Sequence, residues 1–170
     1  MANMNFTMDL QMGDLLCWAA VSVSVDKSMP PRRAPTVDQC ALAAVVLPAA
    51  GCHSNASGQC TCDDEAGLVE GLSGVNRPST GAIPPQSLAV INNQLLHHRP
   101  VCIRIEWADP SQRDGATSHF VVIYKTSATK VWTIEPGHGT THKFTHQTFH
   151  DGTELYESDG TWKNTYMLLP

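Results

Sequence analysis

The sequence predicts an α+β fold in which helices come first and a mainly antiparallel sheet follows. Apolar spacing typical of helices occupies the chain up to about residue 98, and alternating patterns typical of strands occupy the rest. The links between the predicted strands are short, which favours antiparallel neighbours over a doubly wound parallel sheet. No internal repeat or long linker divides the 170 residues. We therefore predict one domain over residues 1–170, with a helical part at about 1–98 and a sheet part at about 99–170.

Turn and proline signals bound the predicted helices. Leu15–Lys27 predicts a mostly buried helix with Asp14 as its N-cap. The Ala- and Leu-rich stretch Val37–Leu47 predicts a second helix, which the following proline ends. Glu65–Leu72 predicts a short helix, and the apolar spacing within Ser87–His98 predicts a longer one.

The second part of the chain shows the period-two pattern of strands. Val101–Trp107 alternates, with its apolar residues on one face and its arginine and glutamate on the other. His119–Tyr124 and Val131–Ile134 predict the next two strands, and Trp162–Leu169 predicts a fourth that closes the chain. Thr145–Phe149 predicts a single helical turn capped by its threonine.

Composition and charge exclude several functional classes. There are 11 basic and 16 acidic residues, a net charge of −5, so the chain lacks the basic footprint of a sequence-independent nucleic-acid binder. No apolar stretch reaches the roughly 18–20 residues that span a bilayer. Leu15–Val25 has the length of a signal-peptide core, but acidic rather than basic residues precede it and no cleavage site follows. We predict no signal peptide, which leaves the cellular location open.

One cysteine lies in a setting that favours nucleophilic chemistry. Cys17 falls in the first turn of the first predicted helix, where the N-terminal amides and the helix dipole favour negative charge and hence the nucleophilic thiolate. Gln11, six residues earlier, can bring its side-chain amide beside the sulfur. Together with the Cys17 backbone N–H, this amide would form a two-donor oxyanion hole.

A base and a residue to orient it follow in the predicted sheet. His119 opens the second predicted strand after a polar loop. Glu135 comes 16 residues later, where the third predicted strand ends. Because adjacent antiparallel strands bring such positions together, we expect the two side chains to lie side by side.

Gln-x5-Cys-Trp-Ala, a histidine that opens a strand and an acid at a strand end together resemble papain-like cysteine peptidases. Within that group the chain is most similar to the compact bacterial branch, which includes bacteriocin-leader peptidases and plant-pathogen effector proteases. The resemblance extends over nearly the whole chain. It includes Gln39-Cys40-x-Leu-Ala, Cys52, the helix at 87–98, Arg99-Pro100-Val101, Ser118-His119-Phe120-Val121-Val122 and Trp162-x3-Tyr166.

The resemblance implies a cysteine peptidase that cleaves a specific peptide or protein and needs no metal or cofactor. It implies that Cys17 is the nucleophile, His119 the general base and acid, Gln11 the oxyanion donor and Glu135 the residue that orients the imidazole. The family has Asp or Asn at this last position, so Glu135 must fold back or its strand must shift. Asp109 or Asp114 is the alternative.

Three other functions remain open at this point. The same site gives a transpeptidase or cyclase if an amine replaces water, and a peptide-binding module if the triad is catalytically silent. A zinc-stapled interaction protein is the third. Because Gln11 and Cys17 lie close to Met1, we also expect no inhibitory propeptide ahead of the site.

The remaining cysteines and a row of histidines suggest local structure. The cluster formed by Cys40, Cys52, Cys60 and Cys62 is consistent with disulfides such as Cys40–Cys52, with a zinc site that includes His53, or with free thiols. Cys102 lies within a strand and is predicted to be a core residue. Four histidines recur every four residues, but glycines and threonines among them favour solvated loop residues over a metal site. They are His138, His142, His146 and His150.

Overall fold

A computed structural model describes residues 1–56, 59–62, 64, 66–112 and 116–170. The described residues form five α-helices and one five-stranded sheet, which confirms the predicted α+β class. The helices are α1 (Cys17–Ser28), α2 (Gln39–Val46), α3 (Leu68–Gly74), α4 (Leu88–Leu96) and α5 (His146–His150). The strands are β1 (Val101–Trp107), β2 (Ser118–Thr126), β3 (Lys130–Ile134), β4 (Thr141–Thr145) and β5 (Gly160–Met167).

The sheet has the order β4-β3-β2-β1-β5, and every neighbouring pair is antiparallel. Consecutive hairpins build β1 to β4, and β5 then crosses to the opposite edge and pairs with β1. The sequence did not predict β4. Its residues are THKFT, of which only Phe144 is buried, because an edge strand needs few apolar side chains.

Two apolar clusters lie on opposite faces of the sheet. One cluster joins α1, α2 and α3 to Cys102, Phe120, Val122 and Tyr166. The other cluster packs α4 and α5 against Val101, Ile103, Ile105 and their neighbours. The alternation of β1 explains this division, since successive side chains of a strand point to opposite faces. Cys102 lies on the face of the sheet that packs against α1 and is completely buried, which confirms its prediction as a core residue.

Helix α1 runs through the middle of the first cluster and begins at Cys17. The predicted N-cap at Asp14 is wrong, because the N-cap residue is Leu16 and no side chain caps the helix. The buried serines of α1 satisfy their hydroxyls within the helix: Ser22 donates to the carbonyl of Trp18 and Ser24 to that of Ala20. Both serine hydroxyls are therefore hydrogen-bonded, although the two residues lie in an apolar core.

Candidate active site

The start of α1 presents Cys17 to a cleft between the helices and the sheet. Leu16 and Trp18 on either side of it are almost fully buried, which fixes the first turn against the core. As the first residue of α1, Cys17 has a backbone N–H with no partner inside the helix. Its side chain is 7% exposed and is not part of a disulfide. The thiol and an available N–H therefore occupy the same corner of the cleft.

His119 lies between Cys17 and Glu135. It follows Ser118 at the start of β2 and lines the same cleft as Cys17, and its imidazole interacts with both the Cys17 thiol and the Glu135 carboxylate. Its Nε2 atom is 3.5 Å from Oε2 of Glu135, so Nδ1 is the ring nitrogen left for the thiol. The indole of Trp107 lies against the imidazole, with ring centroids 6.2 Å apart. Sequence reasoning did not assign Trp107 to the site.

Glu135 is fixed by the turn that follows β3. Its carboxylate accepts backbone hydrogen bonds from Gly137 at 2.5 Å, from His138 at 2.7 Å and from Thr140 at 3.1 Å. The Glu135 side chain, which is longer than the Asp or Asn of the family, folds back over its own turn. Folding back was one of the two adjustments predicted for a glutamate at this position, the other being a shift of its strand. A Cβ atom on Gly137 would lie only 2.9 Å from Oε2, so a larger residue here would displace the Glu135 carboxylate from this position.

The alternative partners of His119 are not needed for this arrangement. Asp109 is exposed and accepts hydrogen bonds from the backbone N–H and hydroxyl of Ser111. Asp114 lies outside the described residues. Of the acidic residues predicted for this role and described by the structure, Glu135 is the one that contacts the imidazole.

The charges in this group stabilise one another. Burial alone would lower the pKa of His119, but hydrogen bonds and electrostatic attraction from Cys17 and Glu135 outweigh it and raise the pKa to about 9. Burial alone would raise the pKa of Glu135, but hydrogen bonds from His119 and the backbone of the turn lower it to about 2. At neutral pH the imidazole is therefore protonated and the carboxylate is ionised. A cation beside a cysteine favours the thiolate form of its side chain.

Gln11 reaches the cleft from the segment before α1. Its backbone N–H donates to the carbonyl of Pro136 at 2.8 Å, which ties it to the turn that carries Glu135. Its Nε2 donates to the carbonyl of Asp14 at 3.1 Å, and the second N–H of the amide remains. Asp14 thus positions Gln11 instead of capping α1. Gln11 lines the cleft, and its side-chain Oε1 is buried without a hydrogen-bond partner among the described residues.

Gln39 holds the segment that carries Gln11. This buried side chain accepts a hydrogen bond from the N–H of Met12 at 2.9 Å and donates to the carbonyl of Leu10 at 2.7 Å. It therefore bridges the two residues on either side of Gln11. The sequence singled out Gln39 only as part of the family resemblance, because a contact over about 28 positions leaves no local pattern.

All four predicted site residues line one cleft of about 700 Å³. The walls also include aromatic, acidic and small residues, and one arginine. They include Asp14, Trp18, Ala66, Gly67, Arg104, Trp107, Phe120, Glu157 and Tyr166. This volume is in the range of a site that holds several residues of a peptide or a drug-sized molecule.

Two disulfides fix the segment next to the cleft. Cys40 pairs with Cys60 and Cys52 pairs with Cys62, so the disulfide alternative is confirmed and the zinc and free-thiol alternatives are wrong. The pairing Cys40–Cys52 is also wrong. Shortly after the second bridge, the carbonyl of Asp64 accepts a hydrogen bond from the indole of Trp18 at 3.1 Å. The cross-linked segment is thereby attached to α1 beside Cys17.

The structure places the four histidines of this row in different settings. His138 is exposed, as predicted, but His146 is buried in α5 and its Nε2 lies 2.9 Å from the carbonyl oxygen of Gln86. The prediction of solvated loop residues is therefore wrong for His146, and its loop assignment is also wrong for His142 in β4 and His150 in α5. Within the described residues, no group of three or more His, Cys, Asp or Glu side chains is placed to hold a metal ion.

No protein-family model and no curated protein sequence matches the chain. None of the helices in the described part of the chain combines the length and apolar character needed to cross a membrane. The functional argument therefore depends on the geometry of the cleft.

Proposed function

We propose that the protein is a papain-like cysteine peptidase that cleaves a peptide or protein substrate. The observation that carries this proposal is the position of His119, which contacts Cys17 on one side and Glu135 on the other. Gln11 adds an amide donor in the same cleft. A nucleophile, a base, a residue that orients the base and an oxyanion donor are the groups that acyl transfer requires.

In the first half of the reaction, the Cys17 thiolate attacks the carbonyl carbon of the scissile peptide bond. The remaining N–H of the Gln11 side chain and the N–H of Cys17 stabilise the oxyanion that develops. Protonated His119 gives its proton to the departing amine as the C–N bond breaks, which leaves a thioester on Cys17. Glu135 keeps the imidazolium oriented throughout.

In the second half, a water molecule attacks the thioester carbonyl. Now neutral, His119 takes a proton from this water, and the C–S bond breaks to release the acid product. The thiolate and the imidazolium are restored. Every proton in the cycle passes through His119, so replacing this residue stops both halves of the reaction.

Alkylation at one cysteine tests the proposal. At about pH 6 an ordinary thiol is almost wholly protonated. We expect iodoacetamide to label Cys17 of the wild type rapidly at this pH, and to label Cys17 of His119→Ala much more slowly. Cys102 is the internal control, because complete burial raises its pKa to about 12. Peptide mapping identifies the labelled residue. Slow or indiscriminate labelling would contradict the thiolate–imidazolium pair.

Turnover distinguishes an enzyme from a peptide-binding module. We expect the wild-type protein to cleave members of a tryptic peptide mixture and Cys17→Ala to lose at least about 10³-fold in kcat/KM. The variant should still bind the peptides that the wild type cleaves. Rapid labelling of Cys17 without cleavage of any peptide would favour the module.

A further inference from the structure

Arg104 is a cation in the cleft that no acid of the described residues neutralises. It lies on β1 and lines the same cleft as Cys17 and His119. Among the described residues, no carboxylate lies within 4 Å of its guanidinium, and the structure gives the guanidinium no hydrogen bond. By contrast, Arg77, whose side chain is buried, is paired with Asp26.

The position of Arg104 follows from the alternation of β1. Cys102, two residues earlier, belongs to the cluster between the sheet and α1, so Arg104 points to the same face. Its neighbours across the strand pairs are Phe120 on β2 and Asn164 on β5. Cys102 is completely buried, whereas Arg104 is only partly buried, because the cleft opens at this end of the strand.

A partly buried guanidinium without a carboxylate partner is available to bind a ligand of opposite charge. Arginine offers a planar pair of N–H donors that match the two oxygens of a carboxylate. Three acidic residues line the cleft, and the carboxylate of none of them, Asp14, Glu135 or Glu157, lies within 4 Å of the Arg104 guanidinium. Glu135 contacts His119 instead, and Glu157 contacts His142 at 3.8 Å. The carboxylate that fits Arg104 is therefore one that a ligand brings.

We propose that Arg104 determines the specificity of the cleft by binding a carboxylate of the substrate close to the scissile bond. This inference rests on the proposed peptidase function, and it names the substrate class: peptides with an aspartate or glutamate near the cleaved bond, or with their C-terminal carboxylate there. Side-chain and C-terminal carboxylates would bind Arg104 in the same way. They would differ in where along the peptide the cleaved bond lies. The net charge of −5 makes this local cation more selective, because the rest of the surface repels acidic peptides that Arg104 does not bind.

The test compares wild type, Arg104→Gln and Arg104→Lys on a tryptic peptide mixture, with the products sequenced by mass spectrometry. If Arg104 binds a side chain, we expect an excess of Asp and Glu at one fixed position relative to the bond cleaved by the wild type. If it binds the chain end, we expect cleavage at one fixed distance from the C-terminus. For a synthetic peptide of the preferred sequence, Arg104→Gln should lower kcat/KM by about 10- to 100-fold. Arg104→Lys should lower it less, because it keeps the charge and loses the paired geometry.

Four forms of that peptide identify the source of the carboxylate. They carry Glu or Gln at the preferred position, and each ends in a free acid or an amide. If a side chain is recognised, only Glu→Gln lowers cleavage by the wild type. If the chain end is recognised, only amidation lowers it. In both cases Arg104→Gln should cleave all four peptides at rates that agree within about threefold.

Lys163→Gln is the matched control. It removes one positive charge from β5, the strand next to β1, but its side chain is exposed and pairs with Glu106. The alkylation rate of Cys17 should be the same in all these variants, which shows that the triad is intact. A wild type with no preference for a carboxylate, or a preference that Arg104→Gln keeps, would overturn this inference and leave the peptidase function standing. If the wild type cleaves no peptide, the proposed function fails, and this inference with it.

Discussion

The Nε2 atom of His119 lies 3.5 Å from Oε2 of Glu135, and three backbone N–H groups hold the same carboxylate from the other side. The turn therefore stabilises the charge of Glu135 independently of the histidine. This charge in turn favours the protonated imidazole, the form that donates a proton to the leaving amine in the proposed mechanism. The turn after β3 thus supports the acid–base function that we propose for a residue on β2.

Replacing Glu135 by Gln should move the pH dependence of hydrolysis. In the proposed mechanism activity should fall as the pH rises through the pKa of His119, about 9 in the wild type, because the neutral imidazole cannot protonate the leaving amine. Without the carboxylate charge this pKa is lower, so the falling limb of kcat/KM should shift to lower pH by about one unit or more. Measuring kcat/KM from pH 5 to 10 tests this. Glu106→Gln, an exposed acid outside the cleft, should leave the profile unchanged, and identical profiles for all three proteins would contradict the assigned role.

Replacing Gln11 by Ala should separate oxyanion stabilisation from thiolate reactivity. Attack on a peptide carbonyl creates an oxyanion, whereas alkylation by iodoacetamide does not. We therefore expect kcat for peptide cleavage to fall by about 10²–10³-fold, while the alkylation rate of Cys17 changes by less than about threefold. Gln147→Ala on α5, outside the cleft lining, is the matched control. A parallel loss of both rates would mean that Gln11 acts by holding the structure around Cys17.

Local patterns were sufficient for much of the fold. Val101–Trp107 was predicted with its observed bounds, because an alternating strand buried on one face leaves a clear period of two. The spacing of His119 and Glu135 across one hairpin also predicted their contact. By contrast, β4 lies at an edge of the sheet, where polar residues suffice, and its sequence carries no strand signal.

Long-range contacts explain what the sequence did not predict. The start of α1 at Cys17 depends on the buried packing of Leu16, not on a cap by Asp14. Two bridges among four cysteines have three possible pairings, and spacing alone does not choose among them. Gln39 positions Gln11 only because the fold brings α2 to the segment before α1.

The two disulfides should contribute measurably to stability. Each closes a short loop, with sequence separations of 20 residues for Cys40–Cys60 and 10 for Cys52–Cys62. We expect the double substitution Cys52→Ser/Cys62→Ser to lower the free energy of unfolding by about 2–4 kcal/mol and the Tm by roughly 5–15 °C. Thermal unfolding with and without dithiothreitol measures this. A variant with all four cysteines replaced by serine should show no further effect of the reductant. Equal Tm values for the oxidised and reduced wild type would contradict a stabilising role.

A buried ion pair at the end of α1 was not predicted either. The carboxylate of Asp26, which is 1% exposed, accepts hydrogen bonds from Nε of Arg77 at 2.9 Å and from the N–H groups of Arg33 and Ala34. Arg77 also donates to backbone carbonyls of the proline-rich segment after the helix, which include that of Pro31. These contacts fix the chain as it leaves α1.

Replacing Asp26 by Asn should destabilise the protein by about 3–5 kcal/mol at pH 7, because it leaves Arg77 buried without its counter-charge. Burial alone would raise the pKa of Asp26, but the two backbone N–H groups and Arg77 outweigh it and hold the pKa below 3.8. The carboxylate therefore contributes its full stability above about pH 4 and loses it as the pH falls further. Urea unfolding at pH 7 and pH 3 should show the wild type and Asp26→Asn converging at the lower pH. Asp9→Asn, which removes the partly exposed partner of Lys27 on the same helix, should cost no more than about 1 kcal/mol. An equal and small effect of the two substitutions would show that the buried pair does not stabilise the end of α1.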